Sequence, residues 1–445
     1  MQKLFVFVLT TSLTACSLAP ETMLPTGRVP DQWREAPATE SEHTAQWSDF
    51  GSAELNRLIT TALANNTDLA AAIARVEQAR AQAKIAGANL YPQVNASGSF
   101  AENYNRYDDR RDHNQVIQAG IDIAYEVDLF QRNRNASNAA LWNLRATAFD
   151  YQAVSILIAS EVARLYTGVL AFDARAAIAI KNLKTAEDVL RVTQLRHREG
   201  AVSGLELAQQ KTSVATTQAA IAALTNSRAL FFNQLALVVG MAPAQLSLEG
   251  DARLDHLQIH KVPLATPWDL LARRPDIAAA EARLRAADLD IGVARANALP
   301  SLSLGLNAGV VGNPSGTLTG LAASFFAPIF QGGALEGAIE QSTALRDARV
   351  ADYQSVLLVA FREVEDALSN LQTAKERRDS LAIGAQEARK ANDIARLRFD
   401  NGAIDYTTLL QTQAAQLQAE DSYISAVQDH YAASVDLIRA LGGGF

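Results

Sequence analysis

The 445-residue chain is short of several residue types, and each shortage excludes something. It has one cysteine, Cys16, so no disulfide can close within it. Its six histidines are His43, His113, His197, His256, His260 and His430. Only His256 and His260 stand four apart, with Asp255 the sole nearby third ligand, and the pair reads as part of a solvated connector rather than a metal site. Positive charge is not in surplus: 40 Lys and Arg against 48 Asp and Glu leave a formal −8, without the basic surface a nucleic-acid partner requires. Beyond residue 20 no run of about 18 consecutive apolar residues occurs, which argues against a transmembrane helix. No Gly-rich phosphate loop, nucleophile elbow or catalytic constellation is present, so neither a cofactor nor an enzymatic role is expected.

Proline is absent from two long tracts. All twelve prolines lie in 20–37, at Pro92, in 243–275, or at Pro300, Pro314 and Pro328. An interior proline costs a helix about 3 kcal/mol, so the tracts 93–242 and 329–445 are open to long helices. They are rich in Ala, Leu, Gln, Glu and Arg, with apolar residues spaced three and four apart. This predicts helices over 132–199 and 203–239, and again over 334–400 and 405–441. At about 1.5 Å per residue the first would run roughly 100 Å. Gly200 and Gly402 become the turns of two helical hairpins.

The N-terminus reads MQKLFVFVLTTSLTACSLAP. One lysine precedes an apolar core from Leu4 to Leu13, too short to cross a bilayer but suited to a signal peptide. Leu13-Thr14-Ala15-Cys16 resembles a bacterial lipobox, in which a peptidase cuts before a Cys that becomes the lipid-bearing first residue. Ser17 follows in place of the Asp that retains lipoproteins at the inner membrane, which implies an outer-membrane address. Residues 1–15 are therefore expected to be a signal peptide, and 16–50 a lipid anchor with an extended tether wrapping the body.

The remainder is written twice. DLAAAIARVEQARAQAKIAGANLYP (68–92) aligns without gaps on DIAAAEARLRAADLDIGVARANALP (276–300), matching at 11 of 25 positions. At an offset of 202, Asp150-Tyr151-Gln152 repeats as Asp352-Tyr353-Gln354, and Gly200-Ala201 as Gly402-Ala403. The expected division is a first repeat at 51–242, a connector at 243–267 and a second repeat at 268–445. Each repeat would hold a helix, a β-hairpin (93–129 or 301–330) and a long helical hairpin (132–239 or 334–441).

The hairpins alternate strictly. In VIQAGIDIAYEVDL (116–129), Ile117, Ala119, Ile121, Ile123, Tyr125 and Val127 share one face, while Gln118, Gly120, Asp122 and Glu126 share the other. Val94, Ala96, Gly98 and Phe100, then Leu302, Leu304, Leu306 and Ala308, then Leu321, Ala323, Phe325 and Ile329 continue the apolar face. A water-facing sheet over a protein core would also alternate. Strand length favours a membrane, since about 9–11 tilted residues cross a bilayer. So does the polar face, built of small uncharged residues with a few carboxylates, as in a water-filled lumen. Whether Asp122, Glu126 and Asp128 line that lumen or sit at the periplasmic boundary is left open by the pattern. The nine polar residues 106–114 and GNPSG (312–316) read as the turns.

A sheet in lipid must close, because no water satisfies its edges. Four strands cannot close, so copies must share a barrel: two would give eight strands and a filled interior, three would give twelve and an open one. A cyclic homotrimer is the expected assembly. Its long helices, small at Ala136, Ala139, Ala140, Ala334 and Ala338, would continue the barrel as a packed ring.

At this point LARRPDIAAAEARLRAADLDIGVARANALPSLSL (271–304), with the lipobox, the duplication, the two strand pairs and the Gly-Ala tips, resembles the TolC-like outer-membrane factors. The likeness is to the lipoprotein (NodT) branch serving resistance–nodulation–division efflux pumps, and it covers essentially the whole mature chain. It implies a mainly α fold with transmembrane β-strands: a trimeric twelve-stranded β-barrel, four strands per chain, continuous with a long periplasmic α-helical barrel. It also implies a passive export duct that partners a periplasmic adaptor and an inner-membrane pump. By resemblance, the adaptor meets the tips at Gly200, Ala201 and Val202 and at Gly402, Ala403 and Ile404. Family members often carry a gating acid just after the second tip's Leu pair. Here Gln411 follows Leu409 and Leu410, which leaves Asp405 as the nearest acid, with a helix N-cap as its plainer role. The family's tyrosine–arginine latch is replaced by Phe399 and Ile404.

Three other readings remain: the exit duct of a type I protein-secretion system, a structural periplasmic coiled-coil lipoprotein with a soluble sheet, and a metalloenzyme using His256 and His260. The lipobox has its own test. Cys16→Ser is expected to abolish incorporation of labelled fatty acid and to leave the precursor unprocessed; label retained by the variant would refute the lipobox.

Overall fold

The computed structural model describes residues 18–25, 29–35, 47–107, 110–249, 253–258, 266–312 and 315–443. Cys16, the signal peptide, tether residues 36–46 and His260 lie outside the described residues, so the lipobox and the His256–His260 pair are not placed. Among the described residues no group of three or more His, Cys, Asp or Glu is arranged to hold a metal ion.

After a 3₁₀ turn at Trp47–Phe50 come α1 (Ala53–Asn65), α2 (Thr67–Ala88), β1 (Gln93–Tyr107), β2 (Arg110–Val127), α3 (Arg132–Arg198) and α4 (Gly204–Val239). A second 3₁₀ turn, Leu254–His256, leads to α5 (Pro267–Arg273), α6 (Pro275–Asn297), β3 (Ser301–Gly312), β4 (Gly316–Phe326), α7 (Ala334–Asp400) and α8 (Tyr406–Ala440). Both halves carry the order helix, strand, strand, 67-residue helix, shorter helix. The proline-free tracts are helical almost to the predicted ends, because each hairpin turn is set by a glycine and a capping side chain rather than by proline.

Two boundaries depart from expectation. The predicted loop 106–114 is mostly strand: Tyr107 pairs with Arg110 and Arg106 with Arg111, since backbone pairing with a neighbour outweighs the polarity of the side chains. At the other end β4 stops at Phe326 instead of running to Ile329, because Pro328 cannot donate to a ladder.

Two compact units form, each drawn from both repeats. The first comprises the described residues within 18–25, 73–150 and 276–356. It holds the four-stranded sheet, antiparallel throughout in the order β1-β2-β3-β4, and an alanine-rich packing of α6 in which Ala279, Ala282, Leu284, Ala286 and Ile291 are buried. Buried Asp288 of α6 accepts from Nε of Arg346 at 3.1 Å, and Arg283 pairs with Asp150. The start of the tether lies on α6: Arg295 donates to the Leu18 carbonyl at 2.9 Å, and Ala19 fills the notch over Gly292.

The second unit, residues 29–72, 151–275 and 357–445, holds the larger core. Leu55, Leu58, Val162, Tyr166, Val169, Leu235, Val239, Tyr431 and Val435 pack within it. Burial pushes the Tyr431 phenol up to about 12, and its hydroxyl donates to the Leu257 carbonyl at 2.6 Å. Trp33 of the tether is buried edge-on against Phe361, while the Arg34 N–H donates to Glu365 at 2.7 Å, so this described part of the tether is docked. One window of α3 is apolar enough to cross a membrane by length and composition, contrary to the count of unbroken runs. Its 67% burial inside the protein marks it as core instead.

The LARRP signature has a structural role here. Arg274 is 7% exposed; its Nη1 donates to the Ala440 carbonyl at 2.9 Å and its Nη2 to Glu363 at 2.7 Å. A cation thus neutralises the C-terminal dipole of α8 while tying it to α7. Gly442, at φ +101, is required alongside, since a Cβ there would come 2.9 Å from the Arg273 carbonyl. Arg274→Ala is expected to lower stability by about 1.5–3 kcal/mol, the usual loss for charge-assisted hydrogen bonds. Thermal unfolding followed by circular dichroism reads it, and an unchanged midpoint would show that the signature arginine is not a clamp.

Candidate functional site

The sheet is the first functional element. Its register lines up the apolar residues across the strands: Val94, Ile123, Leu306 and Leu321 form one rung, and Ala96, Ile121 and Ala308, ending on Thr319, the next. Among the described residues of the unit, nothing covers them. Val94, Phe100, Ile117, Ile121, Leu304, Leu306, Val310, Leu321 and Phe325 are 39–82% exposed. Burying such a side chain is worth about 1.5–3 kcal/mol, so leaving nine of them in water forgoes on the order of 10 kcal/mol, comparable to the whole stability of a domain. The sheet is also open, with β1 and β4 as edges unpaired among the described residues.

The acids left unassigned by the pattern now separate. Asp128 takes the backbone N–H groups of Asn133 at 3.1 Å and Arg134 at 2.8 Å, capping the start of α3 beyond Gln131 at φ 60. Glu126 is paired with Arg132, whose Nη1 also reaches Asn297 at 3.4 Å. Asp122 keeps to the polar face and accepts from the Ser97 hydroxyl at 3.1 Å.

The helical tips are the second element, and the second unit holds both. They are built alike. The Gly200 N–H donates to His197 at 3.0 Å and the Ala201 N–H to Arg196 at 2.8 Å; Gly402 and Ala403 repeat the pair on Phe399 and Arg398 at 3.0 and 2.8 Å. These are Schellman turns, with φ 73 at Gly200 and φ 69 at Gly402. In both tips the glycine and alanine are exposed, while Val202 and Ile404 turn half inward. Ser203 and Glu206 form a capping box on α4. Asp405 is the N-cap of α8, accepting from the Thr408 N–H at 2.7 Å, and that bond holds its carboxyl below the usual range. Gln411 is exposed on the following turn.

The residues that tie these tips together leave little trace in the sequence. Tyr406, buried by Phe399, Leu409 and Val189, donates its hydroxyl to Gln210, and fully buried Gln210 donates in turn to the Ala186 carbonyl at 2.6 Å. One hydrogen-bonded chain therefore links α8, α4 and α3. Phe399 stacks edge-on to Tyr406 at 6.0 Å and lies under the Arg196 guanidinium at 4.8 Å. A lone tyrosine one residue after a predicted N-cap was the only signal, and it is indistinguishable from an ordinary helix start.

The profile of a family described as outer membrane efflux protein matches residues 58–241 and 266–443, one stretch in each repeat. The chain belongs to this family. It is 34% identical over 450 residues to the pyoverdine export outer membrane protein OpmQ of Pseudomonas aeruginosa, covering 97% of this chain and 95% of that one. The outer membrane protein OprJ of the same organism is 31% identical, over 98% of this chain and 94% of its own. Among solved structures, the outer-membrane channel OprN superposes with a TM-score of 0.90 at 26% identity, covering 96% of this chain and 99% of that one.

For an efflux protein with two identically built turns, a backbone test is direct. A β-branched residue at φ near +70 costs about 1–3 kcal/mol even in open space, and no atom lies within 4 Å of a Cβ added at Gly402. Gly402→Val should accelerate limited proteolysis at 398–406, whereas Gly402→Asn, tolerant of that conformation, should do so far less. Equal behaviour of the two variants would remove the left-handed turn as the cause.

Proposed function

We propose that the protein is the outer-membrane duct of a tripartite resistance–nodulation–division efflux system. In this reading three copies join their sheets into a closed twelve-stranded barrel, and the long helices carry the conduit into the periplasm. The observation that carries it is the open four-stranded sheet with an uncovered apolar face, a surface stable in lipid and only when its edges are paired by other strands. Exposed apolar side chains along the helices, among them Ile180, Leu195, Leu237, Ile383 and Leu397, supply contacts for neighbouring copies.

The tips at Gly200-Ala201-Val202 and Gly402-Ala403-Ile404 receive the periplasmic adaptor, and the pump behind it supplies the energy. The duct itself performs no catalysis and uses no cofactor. Asp405 contributes as a cap rather than as a gate, and Gln411 offers an uncharged ring. Acylation at Cys16 anchors the assembly to the outer-membrane lipid. Small toxic or exported molecules are the cargo, a reading that the named role of the pyoverdine exporter favours over protein secretion.

Purified protein should run as a trimer by native mass measurement and conduct ions in a planar bilayer. Deleting the gene should sensitise cells to at least one compound by fourfold or more in inhibitory concentration. A monomer that never conducts, with its sheet protected from lipid, would fit the soluble-sheet lipoprotein instead.

A further inference from the structure

We propose that Asp122 sets the charge preference of the barrel lumen, favouring cationic over anionic solutes. The inference rests on the shared-barrel reading above, since it needs the polar face of the sheet to be the water-filled one.

The register places Asn95, Asp122, Asn307 and Gly320 on one rung of that face, crossing all four strands. The adjacent rungs carry no charge: Ser97, Gly120, Gly309 and Leu318 on one side, Gln93, Ala124, Gly305 and Ala322 on the other. A glycine or alanine thus stands directly before and after Asp122 on its own face. Asn307 leans over Gly320, where an added Cβ would come 2.6 Å from its Oδ1. The two amides therefore flank the carboxylate without a positive charge between them.

Between the rung of Ser99 and that of Glu126, the charged side chains on this face are Asp122 and Glu126. Glu126 is neutralised by Arg132. Asp122 has only the Ser97 hydroxyl, a neutral donor, at 3.1 Å among the described residues. Each chain therefore contributes one uncompensated negative charge to this stretch, and three chains place their carboxylates at one level. Field lines concentrate in a narrow aqueous passage with low-dielectric walls, so such a ring attracts cations and repels anions beyond its own contact distance.

The test uses a reporter that does not depend on whether the helical tips are open. Ser99→Cys introduces a thiol on the same face, two rungs from Asp122 on the side of Gly120. Its modification rates by a cationic and an anionic thiosulfonate reagent are compared in outer-membrane vesicles at ~0.01 M salt, where the Debye length is about 30 Å. Protein without the reporter gives the background. The cationic-to-anionic rate ratio should fall roughly three- to tenfold when Asp122→Asn is added, because the field acts with opposite sign on the two reagents. Asp122→Lys should carry the ratio below that of a free thiol, and Asp405→Asn should leave it unchanged.

An unchanged ratio in Asp122→Asn overturns the proposal while leaving the barrel intact. A reporter thiol inert to both reagents overturns the shared-barrel reading itself. A ratio that falls in Asp405→Asn and not in Asp122→Asn would move the selectivity to the tips and overturn the proposal as well.

Discussion

Every backbone N–H and C=O placed in hydrocarbon needs a partner, and the two outer strands of this sheet have none on their outer edges within the described chain. That constraint organises the molecule. With four strands and an apolar face too large to leave in water, the polypeptide is stable only where lipid covers one face and further strands seal the edges. A shared barrel and a conduit through it are consequences of this single deficit. The same constraint explains why the polar face is so plain. A lumen needs wetting rather than binding, so mostly small uncharged residues suffice, and of the two carboxylates Asp122 and Glu126 only Asp122 stands without an arginine among the described residues.

The helical part obeys a different logic. Helices satisfy their own backbone, so no closure is forced, and stability comes from packing and from the helix ends. The chain invests heavily at those ends. Arg274 holds the last carbonyl of α8, Asp128 holds the first amides of α3, and the two Schellman turns close both hairpins with the same hydrogen bonds. Charged residues in the interior serve as ties between helices: Glu420, 5% exposed, accepts from Arg389 at 2.8 Å and from Gln416 at 3.1 Å. His430, buried and drawn below its usual range by burial and by Arg378, faces that guanidinium at 2.8 Å as a neutral acceptor.

Duplication gives the two halves a common plan but not common details. The tip turns are alike bond for bond, yet Ser203 caps with a full box and Asp405 caps alone. Tyr406 has Gly204 as its counterpart at the same offset, so the buried link to Gln210 exists once per chain. Divergence of this kind lets equivalent elements take unequal parts, one hairpin offering the acceptor and the other the donor.

What was legible in the sequence follows from periodicity and from punctuation. Proline-free tracts located four long helices, alternation located four strands and their faces, and the Gly-Ala pairs located both tips, because each depends on local chemistry repeated along the chain. The family was legible as well, through the LARRP run, although the reason for that run was not. Arg274 meets Glu363 and Ala440, residues 89 and 166 positions away, and no local pattern announces such a meeting. The same holds for Tyr406 with Gln210 and for the separation of Asp122 from Glu126 and Asp128. The three acids look equivalent in VIQAGIDIAYEVDL. Only the tertiary structure gives one an arginine, one a helix start and the third a serine hydroxyl, since electrostatic partners are chosen by proximity in space and the sequence records only proximity along the chain.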